Sequence, residues 1–344
     1  MQAIKIDLYS DTVTQPTLEM RKFMCQVEVG DEQKYEDPTV NLLQEMVAEL
    51  LGKQAGLFLP SGTMCNQIAI KLHCSPGDEV LMHSLAHVGF SEGGALAALS
   101  GAIPTGLPAK RGIFSADQVR KAIRPINRYA PRTSVVSVEQ TSNGGGGTPW
   151  SLSAIEEIAK VAREHNLILH MDGARLFNAV VATSTLAKDF SAHFDTVWVD
   201  FSKGLGAPVG AVLAGKQELI EEAWNWKQRL GGAMRQAGII AAGGIFALQH
   251  NIDRLAEDHE NAKVLAEGLA EIPGIQLDPS EVETNIVIFD VASATEAMTE
   301  KVLQEGLRLS ILGPNRLRAV THMNISRQDV KEALRIIRLC SREG

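Results

Sequence analysis

A short apolar, β-branched run, Thr196-Val197-Trp198-Val199-Asp200-Phe201, leads straight into Ser202-Lys203-Gly204-Leu205-Gly206-Ala207-Pro208-Val209-Gly210. The run reads as a buried strand. It delivers a lysine flanked by small residues, and lysine is rarely placed inside a protein without a partner or a task. A second apolar run, Leu167-Ile168-Leu169-His170-Met171, ends in Asp172-Gly173-Ala174-Arg175, which puts Asp172 31 residues before Lys203. That separation is about one strand–helix–strand unit. Asp172 and Lys203 are therefore expected at the same end of neighbouring parallel strands, the end at which open α/β sheets bind ligands.

Each motif alone has a plain explanation. A lone Lys-Gly would be a surface turn with its ammonium in water, and Asp-Gly-Ala-Arg would be a turn or a helix start. Together they are more specific. A desolvated lysine that bonds covalently to a carbonyl cofactor and an aspartate on a pyridinium nitrogen are the pair that pyridoxal 5'-phosphate requires.

The rest of the chain supports an α/β organisation. An extended arm, Ile6 to Thr12, precedes a helix expected from Pro16 at a first helical position through about Met24. Asp37-Pro38 opens a second helix, with Val40, Leu43, Val47 and Leu50 on one face and Gly52 at its end. Leu57-Phe58-Leu59 is a short strand that runs into Pro60-Ser61-Gly62-Thr63 and a helix carrying Met64, Gln67, Ile68 and Leu72. Helix N-terminal amides and a hydroxyl there suit a phosphate, although Ser-Gly-Thr is also an ordinary helix cap. Glu79 to Met82 is a strand, and Ser91 to Leu99 a helix of small residues. Ser115, Ser153 and Ser326 each begin a capping-box pattern. The strand Ser134 to Glu139 ends in Gln140-Thr141-Ser142-Asn143 and four glycines, Gly144 to Gly147, which let backbone pass close to a ligand. Strands alternating with helices over roughly residues 55 to 215 argue for a parallel sheet with helices on both faces. From about Gly231 long helices run to Leu269, and the short strands Asn285–Val291, Leu307–Ile311 and Leu317–Val320 follow as a small α+β unit.

Composition narrows the function. Of 344 residues, 45% are hydrophobic and 22% charged, ordinary for a globular protein. The net charge of −8 and the lack of a dense Lys/Arg cluster argue against nucleic acid or an anionic membrane as partner. Four cysteines without metal-like spacing read as free thiols of a reducing compartment. No metal site is expected. The N-terminus lacks a signal-peptide pattern, no apolar run approaches membrane-spanning length, and the cytoplasm is the expected location.

Several stretches carry a family resemblance: Ile6-Asp7-Leu8 with Ser10-Asp11-Thr12-Val13-Thr14, Glu36-Asp37-Pro38-Thr39-Val40, Pro60-Ser61-Gly62-Thr63, Ala86-His87, Asp172 to Arg175, Ser202 to Gly210, Met234-Arg235-Gln236-Ala237-Gly238 and Arg318-Ala319-Val320-Thr321-His322. Over nearly its whole length the chain resembles the low-specificity L-threonine aldolases of the beta-eliminating lyase/threonine aldolase family. The resemblance implies fold type I of the pyridoxal-phosphate enzymes. That is an N-terminal arm over 1–15, a large domain over 16–250 with a mainly parallel sheet between helices, and a small C-terminal domain over 251–344.

The same resemblance implies roles. Lys203 forms the Schiff base, Asp172 pairs with the pyridinium nitrogen, and Arg175 contacts the phenolic-oxygen side of the ring. Gly62 and Thr63 hold the phosphate, helped by Arg235 from a partner subunit in a homodimer or homotetramer. His87 stacks on the ring near the substrate hydroxyl. Ser10 and Arg318 bind the substrate carboxylate, and Ser142 lies at the substrate side.

Two positions depart from the family. It usually has Tyr-Gly before its acidic-Asp-Pro motif, where this chain has Lys34-Tyr35. It commonly has histidine where Ser142 stands, so the base for the hydroxyl is expected at His87, with altered threo/erythro preference. The implied reaction is retro-aldol cleavage of L-threonine, L-allo-threonine and related β-hydroxy-α-amino acids to glycine and an aldehyde. The alternatives are another pyridoxal-phosphate reaction, β-elimination or transamination, and a non-enzymatic α/β ligand-binding protein. The last would be colourless, and no Gly-x-Gly-x-x-Gly turn supports it.

Overall fold

A computed structural model describes residues 4–292 and 294–341. Thirteen strands occur among them: β1 (Ile6–Asp7), β2 (Ala55–Leu59), β3 (Glu79–His83), β4 (Ile103–Leu107), β5 (Thr133–Glu139), β6 (Ile168–Gly173), β7 (Thr196–Asp200), β8 (Ala211–Gly215), β9 (Ile275–Gln276), β10 (Ile286–Val291), β11 (Leu307–Arg308), β12 (Ser310–Gly313) and β13 (Arg316–Val320). Seven form one sheet in the order β2-β8-β7-β6-β5-β3-β4. β7, β6, β5, β3 and β4 run parallel, and β8 is antiparallel to both of its neighbours. The architecture is that of fold type I, α/β with a mostly parallel sheet and a small antiparallel C-terminal sheet, β12-β13-β10-β9.

The central strands are buried along their whole length, as strands covered on both faces must be. Their apolar side chains pack with Val40, Leu43 and Val47 of the helix Pro38–Leu51 and with Ile155, Ile158 and Ala162 of the helix Leu152–Glu164. A second core joins Leu265 and Leu269 to Val287, Phe289, Leu317 and Ile336. The N-terminal arm belongs to this second core. β1 pairs in parallel with β11, and Ile6 and Leu8 are buried there.

Local signals explain most helix starts. Asp37 caps its helix with Pro38 in the first turn, and Gly52 closes it at φ 61°. Ser115 and Gln118 form the reciprocal box, and Ser326 exchanges hydrogen bonds with Asp329. Four expectations need correction. The first helix spans Leu18–Met24 rather than opening at Pro16, because the Thr17 hydroxyl accepts from Met20 N and sets the cap. Leu50 is exposed and Leu51 takes the core position. Ser151, not Ser153, caps the helix Leu152–Glu164. The helix expected over Ser91–Leu99 is two short ones, His87–Phe90 and Ala95–Ser100, separated by Gly93 and Gly94 at φ 63° and 73°. β4 and β8 were not anticipated. β8 follows a loop too short for a crossover helix, which forces it to return antiparallel.

Candidate active site

Parallel pairing aligns the carboxyl ends of β5, β6 and β7, with Glu139 opposite Asp172 and Asp172 opposite Trp198. The acids that end these strands, Glu139, Asp172 and Asp200, are all buried. The Lys203 ammonium sits one turn beyond β7, 2.9 Å from Asp200 Oδ2. Its Nζ lies 5.7 Å from the centre of the Trp198 ring. Asp200 also accepts from Ser202 N and Oγ at 3.0 and 2.9 Å.

Asp172 is fixed by Asn66 Nδ2 at 2.8 Å on Oδ2 and by Ala174 N at 3.1 Å on Oδ1. Burial pushes its carboxyl above the ordinary range, while the charge of Lys203 and the Asn66 hydrogen bond pull it back. Glu139 accepts from Asn143 N at 2.8 Å and from His87 N at 3.3 Å. Burial, then the nearby Asp172, raises it to about 7. His87 Nδ1 stands 2.9 Å from Glu92 Oε1, and that bond, with help from Asp172 and against burial and Lys203, raises the imidazole above its ordinary value.

A second group lies where the arm crosses the sheet. Arg175 makes a bidentate pair with Asp11, at 2.7 Å from Nε and 2.6 Å from Nη2, and both side chains are buried. Asn285 Nδ2 adds 3.1 Å to Asp11 Oδ2. Burial alone would raise the Asp11 carboxyl, but Arg175, Lys203 and Asn285 hold it well below the usual carboxylate range. Asn143 Oδ1 accepts from both Arg175 Nη1 at 3.4 Å and Arg318 Nη1 at 3.0 Å. Arg318 also reaches Tyr9 O at 3.3 Å, and its buried Nε has no acceptor. Ser10 accepts from Thr12 N at 3.3 Å and donates to Asp11 at 3.4 Å.

Gly62 and Thr63 open the helix Gly62–His73, capped by Ser61. Amides of a first turn have no acceptor within their helix. A Cβ on Gly62 would overlap the Trp198 ring, so one indole separates the helix start from Lys203.

The structure brings Lys203, Asp172, His87, Arg175, Arg318 and Ser10 into one region. Ser142 is not among them. Its hydroxyl is 1% exposed as a residue, has no partner, and is packed under the turns at Gly112 and Gly145. Its neighbour Asn143 takes the place facing the two arginines, because the Ser142–Thr148 backbone pairing turns successive side chains to opposite sides. Arg235 also stands apart, 65% exposed and 3.1 Å from Asp31. Tyr35, on the adjoining turn, is exposed and edge-on to Trp224 at 6.4 Å. Its backbone is left-handed at φ 59°, a conformation natural to glycine.

Sequence reading missed Asp11, Asn66, Glu92, Glu139, Asn143 and Asp200. Asp200 and Glu139 carried the same signal as Asp172, an acid closing an apolar strand. Asn66 was visible as an amide among the buried positions of its helix. Glu92 and Asp11 had no local signal.

One primary amine, a buried carboxylate, the free first-turn amides of the helix at Gly62 and a guanidinium are a donor set that fits pyridoxal 5'-phosphate, and the buried Arg318 Nε is left for a further acceptor. Comparison with known proteins agrees. Low-specificity L-threonine aldolase 1 of Arabidopsis thaliana is 39% identical over 337 residues, covering 96% of this chain and 94% of that protein. The low specificity L-threonine aldolase of Escherichia coli K12 is 39% identical over 328 residues, covering 95% and 96%. A solved Leishmania major threonine aldolase superposes with a TM-score of 0.82 over 98% of this chain and 99% of that one, at 20% identity, which speaks to the fold. Residues 7–293 match the family model described as beta-eliminating lyase. Matched by that model over most of its length and 39% identical to two aldolases over 95% or more of it, the chain belongs to the beta-eliminating lyase family.

Proposed function

We propose that this protein is a low-specificity L-threonine aldolase that cleaves L-threonine, L-allo-threonine and related β-hydroxy-α-amino acids to glycine and an aldehyde. The observation that carries this is Lys203 and Asp172 at adjacent strand ends, in a chain 39% identical over most of its length to two such aldolases. Pyridoxal 5'-phosphate is the cofactor. When bound, it supplies an electron sink for the pair of electrons left at Cα.

The chain's residues do the rest. Lys203 would hold the cofactor covalently. Asp172 would pair with its ring nitrogen, and Arg175, locked by Asp11, would contact its phenolic oxygen. The amides of Gly62 and Thr63 would hold its phosphate. Arg318, with Ser10, takes the substrate carboxylate through guanidinium geometry. His87 accepts the β-hydroxyl proton through Nε2, the Cα–Cβ bond breaks, and the aldehyde leaves. A proton returned to Cα completes glycine.

Arg235 completes a phosphate site in a partner subunit of a homodimer or homotetramer. Its exposure and the turn of residues 31–36 beside it support that reading. No helix among the described residues is long and apolar enough to cross a membrane, and a cytoplasmic location is part of the same reading.

The experiment is product analysis of purified protein with threonine, allo-threonine and phenylserine. Glycine with acetaldehyde or benzaldehyde is expected. Ammonia with a keto acid would instead establish β-elimination, and no turnover by a fully loaded protein would overturn the reading.

A further inference from the structure

One ring nitrogen of His87 is already committed. Its Nδ1 meets Glu92 five residues on, across the short helix His87–Phe90. The imidazole side chain is 42% exposed and the Glu92 side chain 1%. A carboxylate so buried is costly unless it is hydrogen-bonded. Glu92 is: Asn66 Nδ2 donates to Oε1 at 2.7 Å and Gln67 Nε2 to Oε2 at 2.5 Å, both from the helix Gly62–His73. The Asn66 amide cannot turn over, because its Oδ1 accepts from Trp198 Nε1 at 2.7 Å and His170 Nε2 at 3.0 Å. The same Nδ2 reaches Asp172. A continuous hydrogen-bonded chain therefore runs His87–Glu92–Asn66–Asp172.

We propose that Glu92 is a positioning residue for aldol cleavage, which holds the His87 ring with its Nδ1 proton on the carboxylate and so leaves Nε2 as the nitrogen that handles the substrate's hydroxyl proton. The inference rests on the aldolase reading. The physical reason is tautomeric. An ionised carboxylate only accepts, so Nδ1 must carry the hydrogen and Nε2 the lone pair. When Nε2 takes a proton, the imidazolium faces a fixed anion that needs no rearrangement, the part a buried acid plays behind a catalytic histidine.

His87 is surrounded by other charges. Asp172 lies at the end of β6 and Lys203 beyond β7, while Glu139, at the end of β5, accepts from the His87 backbone amide. Asn66 and Gln67 are uncharged. Glu92 hydrogen-bonds the ring at 2.9 Å, and that bond is the leading influence that raises the ring's proton affinity.

The test is Glu92→Gln in the holoenzyme, with the His87 ring followed by ¹⁵N NMR across pH and steady-state kinetics with threonine alongside. The amide keeps the shape and an acceptor oxygen but removes the charge. The His87 titration midpoint should fall by about one pH unit, a roughly tenfold loss of proton affinity. The acidic limb of kcat should move with it, and kcat should drop about 10- to 100-fold, within the range of a positioned base. KM should stay within about twofold of wild type. Glu92→Asp, which keeps the charge but draws it back, should give intermediate values, and it serves the same test if Glu92→Gln does not fold. A folded variant with an unchanged His87 midpoint and pH profile would overturn the proposal. If the wild-type protein cleaves no β-hydroxy amino acid, the aldolase reading fails instead, while the NMR titration still decides the Glu92–His87 pairing.

Discussion

Lys203 Nζ and Asp200 Oδ2 lie 2.9 Å apart, on a lysine that is one-fifth exposed and an aspartate that is almost fully buried. Both charges are set by one strand, since Asp200 ends β7 and Lys203 follows three residues later. The pair holds the amine at the sheet edge. Asp200→Asn should remove that hold without emptying the space. Attachment of added pyridoxal phosphate to Lys203 in cofactor-free protein should slow, by up to about fivefold for a contact contributing up to about 1 kcal/mol. Absorbance after mixing reads the rate, and an unchanged rate would show that Asp200 does not position the amine.

Gly62 faces the Trp198 ring with no room for a side chain. Gly62→Ala should push the helix start away from β7 and cost about 1–3 kcal/mol, as overpacking does. Cofactor affinity should weaken at least about tenfold, because the phosphate amides move with the helix. Equilibrium titration with pyridoxal phosphate and thermal unfolding of the cofactor-free protein measure the two effects separately.

Arg318 is held through Nη1 and Nη2 while its Nε stays unpaired. Arg318→Lys keeps a cation but loses the planar fork. KM for threonine should rise about 10- to 100-fold, with the cofactor spectrum unchanged. Wild-type kinetics would take Arg318 out of the substrate site.

Arg235 is exposed on its own subunit and lies outside the cluster around Lys203. If it serves a neighbour, Lys203→Ala and Arg235→Ala subunits, each inactive alone, should regain activity when mixed. Random pairing places one intact site in a mixed dimer, so about a quarter of wild-type activity is the ceiling at equal amounts. Mixed dimers that form but show no recovery would place each site within one chain.

Acid should destabilise the fold before it reaches ordinary carboxylate pKa values. Burial lowers His170 to about 3 and His73 to about 4 from 6.5. Both bond the Thr196 hydroxyl, and His170 also bonds Asn66. Each histidine is neutral when folded and takes up a proton on unfolding. Their contribution is therefore present above pH about 6.5 and is lost as pH falls toward the folded values. At pH 5 the loss should be about 2 kcal/mol for each. The Asp11–Arg175 pair acts in the same direction, but only below pH about 4. Calorimetry of the cofactor-free protein should show the melting temperature falling between pH 7 and pH 5. Because Glu139, raised to about 7, acts in the opposite sense over this range, the histidine share is read from His170→Asn and His73→Asn, and a profile unchanged in both would mean that these histidines are charged when folded.

The residues that bear chemistry at strand ends were legible in the sequence. Lys203 and Asp172 each terminate an apolar run, and their separation implied adjacent parallel strands, which β6 and β7 are. Gly62-Thr63 could be placed because a strand, a cap and a helix are local events. The arm's Asp11 was not legible in the same way. It becomes the buried partner of Arg175 only when β1 pairs with β11, some three hundred residues away.

The repeating strand–helix order, the ends at which the amine and carboxylate emerge, and the cofactor they suit all follow from hydrophobic period and short-range spacing. Which side chains meet was settled by packing alone. It turned Asn143 rather than Ser142 toward Arg318, and brought Glu92 from one loop and Asn66 from one helix to His87 and Asp172. Hydrogen bonds between residues distant in the chain depend on how layers pack. No local pattern encodes that packing.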